Sequence, residues 1–200
     1  MIRIDTTMEK NSLPLGPIDI ASCDRSFRHE VNERSGENVG LCWHCRTCAG
    51  GCPYVKAMDF HPHAVFRLVQ LGLRKEALES STIWICVSCN TCSIQCPAAI
   101  DIPAIMDALR HMALEEGVTV AQPEIVKFHE EVLGSIERYG RTHKLEIMMR
   151  YKVRMRQWFQ DMDLGFKMLA RRKLDLTPSK IDRPEEVRRL FAGSDKDGKH

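Results

Sequence analysis

Cysteines carry most of the recognisable chemistry in this sequence, because eight of the nine fall in two short runs. The runs contain Cys42, Cys45, Cys48, Cys52, Cys86, Cys89, Cys92 and Cys96. Each run reads C-x2-C-x2-C-x3-C-P, with a threonine before its third cysteine. Three thiolates spaced three residues apart can bind three corners of an iron–sulfur cubane from one tight loop, and the fourth follows after the chain has turned away. The spacing therefore predicts two [4Fe-4S] clusters.

The same spacing resembles that of two-cluster ferredoxins, in which the fourth cysteine of each run ligates the other cluster. This pattern assigns the first cluster to Cys42, Cys45, Cys48 and Cys96. It assigns the second cluster to Cys86, Cys89, Cys92 and Cys52. Such a crossing makes the clusters near neighbours, which favours fast electron transfer between them. No residue of the chain is assigned a catalytic role.

Two other uses of cysteine compete with this interpretation. Four thiolates from two C-x2-C pairs can bind zinc, although such pairs typically stand apart and lack a third cysteine followed by C-P. A disulfide framework is typical of small secreted chains with a signal peptide. The first six residues show no apolar core of signal-peptide length, and apolar runs such as residues 83–87 are far shorter than a membrane span. We therefore expect a cytoplasmic, reducing location.

Bulk composition sets few further limits. Apolar residues make up 44% of the 200-residue chain, which is enough for one domain, or one small domain with extensions. The net charge is only +2, so nothing in the overall charge favours nucleic acid as a partner.

Helical signals surround both cysteine runs. Before the first run, residues 24–35 are predicted to be helical, with Phe27 and Val31 on one face and Gly36 at the end. Ser22 and Asp24 are the candidate caps of this helix. Between the runs, a helix is predicted from Pro62 to Gly72, followed by a short one over residues 73–79.

Two more helices are predicted after the second run. One contains Pro103 near its start and ends at Gly117, and the next runs from Pro123 to Gly140. Their apolar stripes comprise Ile102, Ile105, Met106, Leu109, Met112 and Ala113, and then Ile125, Val126, Phe128, Val132, Leu133 and Ile136. No segment alternates long enough to indicate a sheet, so the predicted fold class is all-α.

The ends of the chain have a different character. Residues 1–23 are predicted to be an extended arm, with a disordered tail as the equal alternative. Residues 141–193 form a basic C-terminal extension, in which ten basic and four acidic residues within 141–175 leave an excess of +6. This methionine-rich extension could dock a partner, which we favour, or pack on its own domain or lie on a membrane. A short helix is expected over 184–191, and a disordered tail over 194–200.

Three residues near the runs have weaker signals. Trp43 is expected to pack over a cluster, and His44 to face solvent. Cys23 lies outside both runs and is expected to be a buried or half-exposed thiol without a ligand role.

The cysteine runs, the long helical connection and the C-terminal extension resemble the α-helical ferredoxin domain over about residues 24–181, with residues 24–140 as its main body. Among its families, the chain is most similar to HdrC, the smaller iron–sulfur subunit of heterodisulfide reductase. The residues that carry this resemblance are the cysteines, Gly50–Pro53, Ile83–Trp84 and residues 176–178. The implied fold is an α-helical ferredoxin fold with helical N- and C-terminal extensions.

This resemblance implies an electron-transfer subunit of an oxidoreductase complex. Its expected partners are an HdrA-like flavin subunit, an HdrB-like disulfide-reducing subunit and, in a larger assembly, hydrogenase or formate dehydrogenase modules. The chain has neither adjacent cysteines nor a G-x-G-x-x-G loop, so the substrate and the flavin are expected on other chains. The alternatives are an iron–sulfur subunit of an organic-acid or glycerol-3-phosphate dehydrogenase that feeds quinone, a freely diffusing ferredoxin, and a zinc scaffold.

Overall fold

A computed structural model describes residues 23–154, 181 and 183–197. Within these residues the chain is helical and contains no strand, which confirms the all-α prediction. The chain divides into two compact units, with the boundary between Gln122 and Pro123. No helix in the described ranges has both the length and the apolar character needed to cross a membrane.

The first unit contains the two cysteine runs. Its helices are α1 (Phe27–Ser35), α2 (Thr47–Gly50), α3 (Pro62–Leu71), α4 (Arg74–Leu78), α5 (Thr82–Ile85), α6 (Thr91–Ile94) and α7 (Ile102–Glu115). Two 3-10 turns, Val39–Leu41 and Val55–Ala57, interrupt the loops between them. The helices of the second unit are α8 (Pro123–Tyr139), α9 (Lys144–Arg154) and α10 (Pro184–Asp197).

Proline and glycine set most helix boundaries where they were predicted. Pro62 and Pro123 begin their helices, and Gly36, Gly72 and Gly140 take the left-handed conformation just after a helix ends. Three predictions were imprecise. The first helix starts three residues late, because Asp24 accepts hydrogen bonds from the N–H and hydroxyl of Ser26 in a turn outside the helix. Helix α4 is shorter than expected, and the four-residue α5 is too short to leave a periodic signal.

The core of the first unit is formed mainly by α1, α3 and α7. All six apolar residues predicted on the α7 stripe are buried, as are Phe27 and Val31 of α1. From α3, the buried apolar side chains are Val65, Phe66, Leu68 and Val69. Burial of a large apolar side chain stabilises a fold by about 1.5–3 kcal/mol, so this core fixes α3 and α7, the two helices that face the cysteine loops.

Arg74 ties three parts of this unit together. Its guanidinium contacts the carboxylates of Asp24 (3.1 Å), Glu30 in α1 (2.8 Å) and Glu116 at the end of α7. It also lies over the ring of Phe27, with the guanidinium carbon 5.1 Å from the ring centroid. The hydrogen bond to Glu116, followed by that to Glu30, raises the pKa of Arg74 and keeps it charged.

In the second unit, α8 packs against α9 and α10. The rings of Phe128 and Tyr151 meet edge to face at 5.7 Å, and Arg150 pairs with Glu131 at 3.1 Å. The apolar stripe predicted for α8 is only partly covered, since Phe128 and Leu133 are exposed. The ferredoxin domain predicted over 24–140 thus includes one helix, α8, that belongs to the second unit.

Several predictions fall partly outside the described residues. These are the arm over 1–23, apart from Cys23, and the part of the basic extension over 155–180 and 182. The short helix expected over 184–191 is longer in the structure, because α10 continues to Asp197. The prediction that the tail from 194 is disordered was therefore wrong for residues 194–197, while 198–200 lie outside the described part.

Candidate iron–sulfur site

Both cysteine runs fold into the same loop. In each, the second and fourth residues after the first cysteine have positive φ, namely His44 (60°), Arg46 (68°), Ser88 (54°) and Asn90 (62°). This conformation costs a non-glycine residue about 1–2 kcal/mol, so the surrounding contacts must hold it in place. Alternation of right- and left-handed residues turns successive N–H groups toward one side, which makes a concavity suited to an anion. A thiolate-ligated cluster is such an anion.

A short helix follows each loop directly. Thr47 begins α2 just after Arg46, and Thr91 begins α6 just after Asn90. The two helices lie against each other. The two runs are therefore placed side by side, as two copies of one unit.

The cysteines gather around two cavities. The first cavity is lined by Cys42, Cys45, Cys48 and Cys96. The second cavity is lined by Cys52, Cys86, Cys89 and Cys92. Each cavity thus takes three cysteines from one run and the fourth cysteine from the other run. The buried side chain of Ile102, at the start of α7, lines both cavities and lies between them.

The remaining lining is mostly apolar. His63, Phe66, Ile100 and Trp43 contribute to the first cavity, and Met58, Tyr54, Met106 and Val87 to the second. In the described ranges, no group of three His, Cys, Asp or Glu side chains is arranged to hold a single metal ion, so the geometry gives no support to the zinc interpretation.

The protein alone treats the cysteine thiols unequally. Burial, with the nearby Cys42 and Cys92, raises the pKa of Cys48 to about 11. Burial also raises the pKa of Cys42 and of Cys92. The hydroxyl and N–H of Thr47 lower the pKa of Cys45, and those of Thr91 lower the pKa of Cys89. The buried thiols therefore need a bound cation to become thiolates at neutral pH, and iron supplies that charge.

Backbone N–H groups point at several of the sulfurs. The N–H of His44 donates to Cys42, and those of His63 and Ala49 donate to Cys48. The His63 ring also lines the first cavity, and its Nδ1 is buried without a hydrogen-bond partner among the described atoms. Burial, followed by the charges of His61, Arg46 and His44, lowers the pKa of His63. Donors aimed at sulfur and a polar atom without a partner both fit a bound cluster.

The residues beside the ligands partly differ from expectation. Trp43 lines the first cavity, and its side chain is 70% exposed. The prediction that His44 faces solvent was wrong, because its Nε2 donates to Gln70 Oε1 at 2.8 Å and the residue is half-buried. The left-handed backbone at His44 redirects its ring toward α3. Cys23 is half-buried and lines neither cavity.

Sequence reasoning missed three residues that hold the loops. Asp59 accepts hydrogen bonds from the N–H groups of Ser81 (2.7 Å) and Thr82 (3.0 Å) and thereby fixes the start of α5, which leads into Cys86. Gln70 and Arg110 donate to the carbonyl oxygens of Cys42 and Cys86, respectively. All three lie more than twenty residues from their partners, and no local pattern in the sequence could reveal such distant contacts.

Comparison with known proteins adds two findings. A family described as a 4Fe-4S dicluster domain matches residues 41–101, which include both runs. An iron–sulfur C-type subunit (C 2) of CoB–CoM heterodisulfide reductase from Methanocaldococcus jannaschii is 33% identical over 131 residues, covering 62% of this chain and 67% of that protein.

Two further relatives have similar names. The C-type subunit of an H(2):CoB-CoM heterodisulfide,ferredoxin reductase from Methanothermobacter marburgensis is 27% identical over 54% of this chain and 56% of its own length. The iron–sulfur C-type subunit of CoB–CoM heterodisulfide reductase from Methanopyrus kandleri is 34% identical over 40% of this chain and 42% of its own length. The chain thus spans about half the length of these two relatives. With the cavities described above, these matches identify an iron–sulfur protein that carries two [4Fe-4S] clusters.

Proposed function

Because the chain belongs to the HdrC family of heterodisulfide reductase subunits, we propose that this electron-transfer subunit passes single electrons from an HdrA-like flavin subunit to an HdrB-like disulfide-reducing subunit. The observation that carries this proposal is the pair of four-cysteine cavities that meet at Ile102. One side chain between two redox sites is a short distance for an electron. The location that suits free thiolate ligands is the cytoplasm.

The ligand assignment is part of the same proposal. Cys42, Cys45, Cys48 and Cys96 bind one cluster, and Cys86, Cys89, Cys92 and Cys52 bind the other. The composition of the two cavities supports this crossed arrangement, since each contains the fourth cysteine of the opposite run.

The residues of this chain bind, orient and insulate, and no proton transfer is asked of them. A bound [4Fe-4S] cluster supplies a site that gains and loses one electron. Apolar side chains such as Phe66 and Met106 keep water from the ligands. The N–H groups of His44, Ala49 and His63 donate to the sulfurs and favour the added negative charge.

Exposed apolar side chains beside the cysteines support docking of partner subunits. Trp43 and Val87 follow the first cysteine of each run, and both line a cavity and are exposed. Ile94, between Cys92 and Cys96, is 84% exposed. We call Trp43, Val87 and Ile94 the rim. A partner that covers the rim would bring its own redox centre near a cluster, and hydrogenase or formate dehydrogenase modules would join through those partners.

The proposal is tested by cysteine variants in the anaerobically purified complex. Cys48→Ala should lose one cluster or convert it to a three-iron form, and electron relay to the disulfide-reducing subunit should stop. Cys23→Ala is the matched control, since Cys23 lines neither cavity, and it should retain iron, sulfide and turnover. Full turnover of Cys48→Ala with intact iron content would refute the relay.

The crossing has a separate spectroscopic test. Cys96→Ser should alter the same electron paramagnetic resonance signal as Cys48→Ser, and Cys52→Ser should alter the other one. If Cys52→Ser and Cys48→Ser alter one common signal, the ligands are not crossed. Mass identification of the subunits that co-purify from the native host separates the proposed complex from the alternative, a dehydrogenase that feeds quinone through a membrane cytochrome.

A further inference from the structure

The two cluster loops are held in the same way, although the residues that hold them differ. In the first loop, Gln70 Nε2 donates to the carbonyl oxygens of Val39 (2.9 Å) and Cys42 (3.0 Å), while its Oε1 accepts from His44. Gln70 thus contacts the residue three before the first cysteine, that cysteine, and the residue two after it.

Arg110 makes the same three contacts in the second loop. Its Nε donates to the carbonyl oxygen of Ile83 (2.6 Å), and its Nη2 donates to that of Cys86 (2.8 Å) and lies 3.5 Å from Ser88 Oγ. Ile83, Cys86 and Ser88 lie 44 residues after Val39, Cys42 and His44. Gln70 and Arg110 are each the ninth residue of their helices, α3 and α7. The two residues are therefore equivalent in the internal repeat.

The difference between them is one positive charge. Gln70 is neutral, while the guanidinium of Arg110 is always protonated. The Arg110 side chain is 14% exposed, so solvent screens its charge weakly. Its ion-pair partner Asp107 is 3.4 Å away and 58% exposed, so solvent weakens the opposing effect of that carboxylate. Arg67, which lies 3.5 Å from Gln70 in the first loop, is an exposed residue.

We propose that Arg110 is a positioning residue that also sets the reduction potential of the cluster bound by Cys52, Cys86, Cys89 and Cys92. The inference rests on the cluster assignment in the proposed function. Reduction adds one negative charge to a cluster, and a weakly screened cation at the carbonyl of a ligand residue stabilises that charge. Gln70 gives the other loop the same hydrogen bonds without this stabilisation.

The internal repeat supplies the variant that tests this assignment. Arg110→Gln places in the second loop the residue that already serves the first, so iron and sulfide content should stay at wild-type levels. In an anaerobic redox titration followed by paramagnetic resonance, the ratio of reduced to oxidised second cluster at a fixed potential should fall about tenfold. A tenfold change is about 59 mV for a one-electron couple. The first cluster should shift by less than about a third of this amount.

Two further variants separate charge from support. Arg110→Lys keeps the charge but loses the planar fork, so the second cluster should keep its potential and be released faster in denaturant. Asp107→Asn removes an exposed acid and should change the ratio by less than about twofold. Charge is the cause if Arg110→Lys keeps the wild-type potential, even where Arg110→Gln binds the cluster poorly.

Two results would overturn the inference. One is Arg110→Gln with full cluster content and both potentials unchanged. The other is Arg110→Lys with a second-cluster potential as low as that of Arg110→Gln. Neither result touches the relay itself, because the titration reads the clusters without partner subunits. Failure of the proposed function would instead show as absent clusters or as no electron transfer to partners.

Discussion

At the residue scale, the environment of each sulfur shows how the site has been built for a metal cluster. Burial raises the pKa of Cys48 to about 11, while hydrogen bonds from Thr47 lower the pKa of the exposed Cys45. The same threonine contact recurs in the second loop, where Thr91 Oγ1 lies 3.5 Å from the sulfur of Cys89. The threonine before the third cysteine of each run therefore has a local function, which is to support the second sulfur as a thiolate.

Asp59 acts at the same scale on the connection into the second loop. Its carboxylate accepts from the hydroxyls of Ser80 (3.0 Å) and Thr82 (2.7 Å) as well as from the N–H groups of Ser81 and Thr82. Burial opposes its ionisation, but the hydrogen bonds led by the Ser81 N–H outweigh burial and lower the pKa of Asp59. The charged form is thus the one that stabilises the fold.

Replacing this carboxylate should therefore destabilise the protein. Asp59→Asn puts an amide N–H₂ opposite a backbone donor and should cost about 1–3 kcal/mol in unfolding free energy. Because the folded pKa lies below the unfolded value of about 3.9, the stabilisation is complete above that pH and is lost as pH falls through the folded pKa. The difference between wild type and variant should be constant from about pH 8 to pH 5. Anaerobic urea unfolding, followed by circular dichroism, measures it, and a difference that grows toward pH 5 would contradict the assignment.

At the element scale, α3 and α7 do the positioning. Each presents its first turn to a cavity and its ninth residue to a loop carbonyl, and each is fixed by a buried apolar face. The end of α3 matters as much as its start. Gly72 has a φ of 73°, its carbonyl accepts from the N–H of Asp24 at 2.9 Å, and a Cβ at this position would overlap the Asp24 backbone.

Two glycine variants separate conformation from space. Gly36→Ala should cost about 1–2 kcal/mol, because Gly36 has a φ of 71° but open space around its missing Cβ. Gly72→Ala should cost about 1–3 kcal/mol more, because it also forces the Asp24 backbone away. Urea midpoints of the two cluster-loaded variants test the order. Equal midpoints would show that the close approach of Asp24 contributes nothing.

At the scale of the whole molecule, two compact units have different tasks. All eight motif cysteines lie in the first unit, with both cavities and the rim. Helices α8 to α10 form the second unit, and the pairs of Arg150 with Glu131 and Arg138 with Glu146 (2.8 Å) link its helices. Electron relay is therefore a property of the first unit, and docking through the basic extension stays a prediction for the second.

Docking through the rim has a direct test in the assembled complex. Trp43→Ser and Ile94→Ser remove exposed apolar surface beside the clusters, so they should weaken partner binding by about tenfold (about 1.4 kcal/mol) without loss of iron. Leu114→Ser is the matched control. Leu114 is 51% exposed but lies near the far end of α7, about 18 Å along the helix from the cavities. Unchanged affinity for both rim variants would exclude this docking surface.

The metal chemistry and most helix boundaries could be predicted from the sequence, because both depend on neighbouring residues. Cysteine spacing indicates the cluster type, and a proline or glycine acts on the backbone at its own position, as Pro62 and Gly72 do at the ends of α3. The crossed ligand sets came from resemblance to a family pattern, and in the structure the same cysteines surround the same two cavities.

Tertiary packing alone decides which distant residues hold the loops. Asp59, Gln70 and Arg110 look like ordinary polar residues in the sequence, and each finds its acceptor or donor only when α3, α5 and α7 pack together. The left-handed backbone that turns His44 toward Gln70 depends on the same packing. Local strain and long-range hydrogen bonds have no period and no spacing, so a single sequence cannot display them.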